Sequence, residues 1–178
     1  MFDCISDTIV KWEVYNNETV CKNFPYDDWL LIASDIKNDD EWRDFVNEYG
    51  DFVKCYILRN CSNDKEVGFV YLYNESGNFD VVSIHGGGWG ENLNSVLLYY
   101  RGMILIIDSL LNNGVKVRTN ISVTNLRALR FMRSLGFVTY KTTDNVSYMW
   151  INKKRLQSSK IYKYLMERDF KLKASFAK

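Results

Sequence analysis

Residues Gly114 to Phe137 read GVKVRTNISVTNLRALRFMRSLGF, and the spacing of their apolar residues changes partway along. Val115, Val117 and Thr119 alternate with Lys116, Arg118 and Asn120, the period of a half-buried strand. Ser122, Thr124 and Asn125 then cluster, and side chains of this kind satisfy the open N–H groups at a helix start. From Leu126 the period lengthens. Ala128, Leu129, Phe131, Met132 and Leu135 form an apolar stripe at helical spacing, with Arg127, Arg130 and Arg133 outside it. Gly136 stops the helix by accepting a left-handed conformation. Phe137-Val138-Thr139-Tyr140 opens another strand. The stretch therefore predicts strand, helix, strand.

Reading backwards, Leu93 to Asn113 predicts a long helix ending at Gly114. Before it, Phe52–Leu58, Glu66–Tyr73 and Phe79–Ile84 are strand-like runs joined by short polar turns, an antiparallel meander. Further back, Pro25, Asp27 and Asp28 suit a helix start, followed by Trp29, Leu30, Ile32, Ala33 and Ile36 on one helical face. Glu41, Trp42, Phe45, Val46 and Tyr49 form a second helical segment, closed by Gly50. A first strand is expected near Thr8–Tyr15. Reading forwards, the turn Thr143-Asp144-Asn145 leads to a last strand, Ser147–Ile151. Beyond it, Ile161, Tyr162, Leu165 and Met166 suggest a short amphipathic helix. The expected fold is α/β (α+β): a mixed, mostly antiparallel central sheet of about seven strands with helices on both faces. Residues 1–152 are expected to form one domain and 153–178 a C-terminal helical tail.

The chain has 178 residues and a net charge of +1, with basic and acidic residues interspersed. That size suits one domain with a sizeable core. The charge gives no reason to expect a nucleic-acid or membrane partner. No basic start is followed by a long apolar segment, and the longest apolar run, Met103 to Ile107, is too short to span a bilayer. A cytoplasmic protein is expected. The four cysteines show no C-x-x-C spacing and are expected to be reduced thiols. With one histidine and no His/Cys cluster, no metal site is expected.

Asn125, Ala128, Leu135, Gly136 and Phe137, in the pattern N-x-x-A-x-x-x-x-x-x-L-G-F, resemble the second half of the Gcn5-related N-acetyltransferase (GNAT) family. The order of elements from about Thr8 to Ile151 matches that family too. The resemblance implies transfer of an acetyl group from acetyl-CoA to a primary amine of a small molecule or peptide, by a monomer or homodimer. It also implies that the helix led by Asn125 lies beside the pantetheine arm, which Asn125 would position. The family's usual phosphate loop, R/Q-x-x-G-x-G/A, falls near Glu91–Tyr99, where its glycines and basic residue are missing. Asn94 and Ser95 are expected to cap the helix there and donate to phosphate. The Arg101-Gly102 pair imitates the motif but falls inside the helix, so Arg101 reads as a partly solvated helix residue.

His85-Gly86-Gly87-Gly88-Trp89-Gly90 is the most unusual stretch. Glycine weakens a strand by about 0.5–1 kcal/mol relative to alanine, and close approach of a ligand to bare backbone is one reason to tolerate that. On the GNAT reading Gly86, Gly87, Gly88 and Trp89 adjoin the cofactor, with backbone N–H groups serving the thioester carbonyl. A ligand-free glycine-rich turn is the plainer alternative. His85 and Glu91 are candidate bases for the acceptor amine. Many GNATs carry a tyrosine four residues before the "GF" glycine that protonates the leaving thiolate. That position is Met132 here, with Tyr140 or Tyr148 as candidate substitutes. This departure, together with the degenerate loop, keeps open a GNAT-fold protein that binds acyl-CoA or a partner without turnover. A transferase using aminoacyl or longer acyl groups is a further alternative.

Overall fold

The computed structural model describes residues 4–15, 53–74, 80–88 and 92–167, together with residues 40, 41, 44 and 48. Residues 40, 41, 44 and 48 are helical, within or beside the second expected helical segment. The helix expected after Pro25 lies outside the described residues, as do Trp29, Trp42, Trp89, Gly90 and Glu91.

Eight strands form one sheet: β1 (Cys4–Ser6), β2 (Val10–Tyr15), β3 (Val53–Asn60), β4 (Glu66–Tyr73), β5 (Val81–Gly88), β6 (Lys116–Ser122), β7 (Val138–Thr142) and β8 (Val146–Ile151). Their spatial order is β1-β2-β3-β4-β5-β6-β8-β7. Among the described residues only β5 and β6 run parallel; every other pair is antiparallel. The strand beyond the expected seven is β1. Three residues carry no readable period, and a side chain makes the turn instead. Asp7 Oδ1 accepts from the backbone N–H of Ile9 at 2.7 Å and of Val10 at 2.9 Å, a local turn typical of aspartate.

Three regular helices lie among the fully described residues: α1 (Leu93–Asn112), α2 (Leu126–Leu135) and α3 (Lys153–Ser158). α2 starts as the sequence predicts, with the Asn125 side chain accepting from the Ala128 N–H at 3.0 Å. It ends at Gly136, whose φ of 105° is left-handed. α1 is capped by Asn92, whose Oδ1 accepts from the Ser95 N–H at 2.9 Å. This corrects the expectation that Asn94 or Ser95 caps that helix. Both lie inside its first turn, and an N-cap side chain must come from the residue before the helix.

α1 is long and apolar enough to cross a membrane by length and composition. Here it is the core helix: Met103, Ile104, Ile106 and Ile107 are fully buried. It lies close to the sheet at Gly102, where an added Cβ would sit 2.5 Å from a Leu58 methyl. The buried Trp12 indole N–H donates to the Gly102 carbonyl at 2.7 Å. Trp12→Phe should keep most of the packing and remove this hydrogen bond while leaving the carbonyl its partner within the helix, a loss of about 0.5–1.5 kcal/mol. Urea denaturation measures it; an unchanged midpoint would mean another donor reaches Gly102.

Arg101 is a partly exposed residue of α1, as expected, and its charge is engaged. It is ion-paired with Asp7, and its Nη1 donates to the Leu165 carbonyl at 2.6 Å. One guanidinium thus joins the β1–β2 turn, α1 and the segment after β8. That segment continues past α3 as a short helical turn, Lys160–Tyr162, and a π-helical turn, Lys163–Glu167. Leu156 and Leu165 are fully buried in the same core as the sheet and α1.

Candidate functional site

β5 and β6 are paired over three residues only, Val81–Ser83 against Lys116–Arg118. Beyond that, β5 continues to Gly88 along β4, while β6 continues to Ser122 along β8. Neighbouring parallel strands with separate outer partners and no mutual ladder leave a gap between them. One edge of that gap is the glycine run. The sequence reading ended this strand at Ile84; the ladder carries it through His85 to Gly88, so Gly86–Gly88 are strand and not turn.

None of these three glycines has a positive φ, so backbone conformation does not require them. Space does. A Cβ at Gly86 would overlap the Phe69 carbonyl oxygen and lie 2.8 Å from the Tyr99 hydroxyl. A Cβ at Gly88 would lie 2.9 Å from the Tyr99 ring, and one at Gly68 2.7 Å from it. Gly68, Gly86 and Gly88 therefore form a flat bed for Tyr99 of α1, whose hydroxyl donates to the Phe69 carbonyl at 3.2 Å. The room expected for a ligand at Gly86 and Gly88 is, on this face, taken up by the protein's own tyrosine.

A cavity of about 730 Å³ adjoins this bed, within the size range of small-molecule sites. Its floor is Gly86–Gly88; Ser95, Val96, Tyr99 and Tyr100 bring in the first turns of α1; Ala128, Phe131 and Met132 bring in α2. The two helices are held together by Phe131, whose ring centroid lies 4.3 Å from that of Tyr100 and 5.4 Å from that of Tyr99. The Ser134 hydroxyl lies 2.9 Å from the Tyr100 hydroxyl. Arg127, Arg130 and Ser134 form the outer rim.

The remaining candidates are more scattered. Asn94 is exposed and is not part of the cavity wall, whereas Ser95 is. Asn125 is engaged as the α2 cap. Strand alternation turns His85 away from the Tyr99 face. It is buried, with its ring stacked 5.1 Å from the Tyr71 ring. Tyr140 is half exposed on β7, with the Arg118 guanidinium 5.9 Å from its ring. It lines a separate groove with Trp150 and Lys153.

Burial pushes the Tyr99 phenol well above its usual pKa. An unfolded tyrosine ionises near pH 10, so above that pH the unfolded state sheds a proton that the folded state keeps. Stability then falls with rising pH by about 1.4 kcal/mol per unit from this residue. Tyr99→Phe should cost about 0.5–1.5 kcal/mol at neutral pH through the lost hydrogen bond and flatten the alkaline fall. Denaturation midpoints of both proteins near neutrality and above pH 10 would show the curves converging; parallel curves would place the alkaline fall elsewhere.

Sequence reading missed Tyr99, Tyr100 and the two rim arginines. The available signal was on α2, whose ten residues carry Arg127, Arg130 and Arg133 and no acid. Like charges that neighbour one another on a helix cost about 0.2–0.5 kcal/mol per pair, and a cation in the first turn opposes the helix dipole.

A mostly antiparallel sheet whose one parallel pair stops pairing partway, with two helices beside the glycine end of β5, is the fold of the GCN5-related N-acetyltransferases. The structure is similar to that of a GCN5-related N-acetyltransferase from Brucella melitensis, with a TM-score of 0.63 at 11% identity over 92% of this chain and 84% of that one. It is similar to a spermidine N-acetyltransferase variant from Vibrio cholerae, with a TM-score of 0.60 at 13% identity over 82% and 94%. It also matches AAC(6')-Ib in complex with paromomycin and acetyl-CoA, with a TM-score of 0.64 at 15% identity over 85% and 98%. No family model matches the sequence, and no curated protein matches it.

Proposed function

We propose that the chain is an acetyl-CoA-dependent N-acetyltransferase acting on a primary amine of a small molecule or peptide. The observation that carries this reading is the gap between β5 and β6. It exposes a glycine-lined strand edge where an extended, amide-bearing arm can add as a further strand, next to the start of a long helix. Amide groups of pantetheine suit such an edge, and the first-turn N–H groups of α1 suit phosphate. The fold of a structure holding acetyl-CoA supports the choice of donor, and those of a spermidine N-acetyltransferase and of a paromomycin complex support an amine acceptor.

In the reaction, a neutral amine attacks the thioester carbonyl carbon. A C–N bond forms, and the carbonyl oxygen becomes an oxyanion that backbone N–H groups near Gly86–Gly88 stabilise. Collapse breaks the C–S bond, releases the CoA thiolate and frees one proton from the nitrogen. His85, on the sheet face away from Tyr99, is the residue we assign to take that proton; Glu91 is the reserve candidate. Isothermal titration with acetyl-CoA, with CoA alongside, tests the reading. Micromolar binding is expected, followed by thiol release with a suitable amine. No binding at millimolar ligand would remove it.

Binding without turnover is the second reading. Its specific support is Met132, which lines the cavity at the position where the family resemblance calls for a proton-donating tyrosine. Persistent acetyl-CoA binding with no thiol release across a panel of amines would favour it.

A further inference from the structure

We propose that Arg127 and Arg130 bind the phosphate groups of the acyl donor's nucleotide, supplying from α2 the anion recognition that the loop before α1 lacks. The inference rests on the donor reading above and assigns residues to it. The described arginines divide into two groups. Arg59 is paired with Glu13 and Glu66, and Arg101 with Asp7. Arg118 and Arg155 lie over the rings of Tyr140 and Trp150. Among the described residues, Arg127, Arg130 and Arg133 alone among arginines have neither a carboxylate nor a ring partner.

Two of these three stand on the cavity rim, opposite Ser95 in the first turn of α1. Arg133 points elsewhere, lining an adjoining groove with Arg155 and Lys160. Arg127 sits in the first turn of α2, where its charge opposes the helix dipole. The same turn carries no acid to offset it. A polyanion between the two helices would satisfy both guanidinium forks bidentately and receive the α1 N–H groups from the other side. The apolar wall of Ala128, Phe131 and Met132 lies deeper than this rim, where the uncharged arm of the same donor would run.

The test is titration of the whole chain, the R127A/R130A double variant and R133A with acetyl-CoA and with S-acetylpantetheine, which has no nucleotide. Both rim residues are exposed, so the double variant should melt as the parent does. Its affinity for acetyl-CoA should fall about 10²-fold, a loss of charged hydrogen bonds from two residues, and its affinity for S-acetylpantetheine should be unchanged. R133A removes one of the three α2 charges and should bind both ligands as the parent does. The parent's acetyl-CoA affinity should weaken with salt, and the double variant's much less. Equal acetyl-CoA affinity in parent and double variant overturns the inference and leaves the donor reading standing. A parent that binds neither ligand removes the donor reading, and this inference with it.

Discussion

Gly86→Val should be among the most destabilising single substitutions in this chain. The new Cβ would overlap the Phe69 carbonyl oxygen and lie 2.9 Å from the Val70 Cα. Both are backbone atoms of β4, held by the ladder that pairs Val70 with Gly86. Neither can retreat without breaking that ladder, and the third neighbour, the Tyr99 hydroxyl, is buried on the same side. Overpacking of this kind costs about 1–3 kcal/mol, and the rigid neighbours place Gly86 at the upper end. For a domain of this size each kcal/mol lowers Tm by about 2–4 °C. Thermal unfolding followed by circular dichroism reads it directly. Gly114→Ala is a useful comparison: its φ of 79° strains any side chain, but no atom lies within 4 Å of the new Cβ. The Gly86 variant should melt lower than the Gly114 variant. The reverse order would mean that β4 and β5 do not pair as closely as described.

Met132→Tyr should raise the rate of thiol release. Met132 is buried on α2 and lines the cavity, at the position where the GNAT resemblance calls for a proton donor. A tyrosine with its ordinary pKa near 10 is fully protonated at neutral pH, and a thiolate accepts a proton up to about pH 8.5. General acids usually contribute about 10²–10⁴-fold. A thiolate is already a tolerable leaving group, so the gain here should be nearer about 10-fold. It should also shrink above pH 8.5, where the thiolate no longer needs the proton. Steady-state thiol release across pH with one amine checks both the size and the pH trend. A gain that is flat in pH would point to altered packing instead of proton donation. Binding of acetyl-CoA with no release from either protein would favour the non-catalytic reading.

These two residues mark the limits of reading the chain unfolded. The glycine run was legible as something unusual, because three consecutive glycines in a strand carry a cost that needs a reason. Which reason applies was not legible. Tyr99 follows Gly88 by eleven positions and reaches Gly68 only because β4 and β5 pair with Gly68 opposite Gly88. Register across strands is long-range information, and a ligand and a tyrosine ring ask for the same absence of side chains.

The rim arginines show the same division. Their position off the apolar stripe was plain from spacing, but whether they face water or a cavity depends on where α1 crosses α2. Phe131, stacked on Tyr100, decides that. Arg101 shows the converse: its helical place was readable, while its pairing with Asp7 depends on a turn ninety-four residues away.

By itself, the sequence determined most of the described elements, though not β1 or the full length of β5. Apolar period, Asn125 as a cap and Gly136 as a stop are local properties of the backbone, and they specified the order of strands and helices around α2. Only the tertiary structure decided the site. It set where the β5–β6 ladder ends, which face of Gly86–Gly88 is filled, and which charges are left without partners. Each of these depends on packing between segments distant in the chain, and local conformational preference carries no term for that.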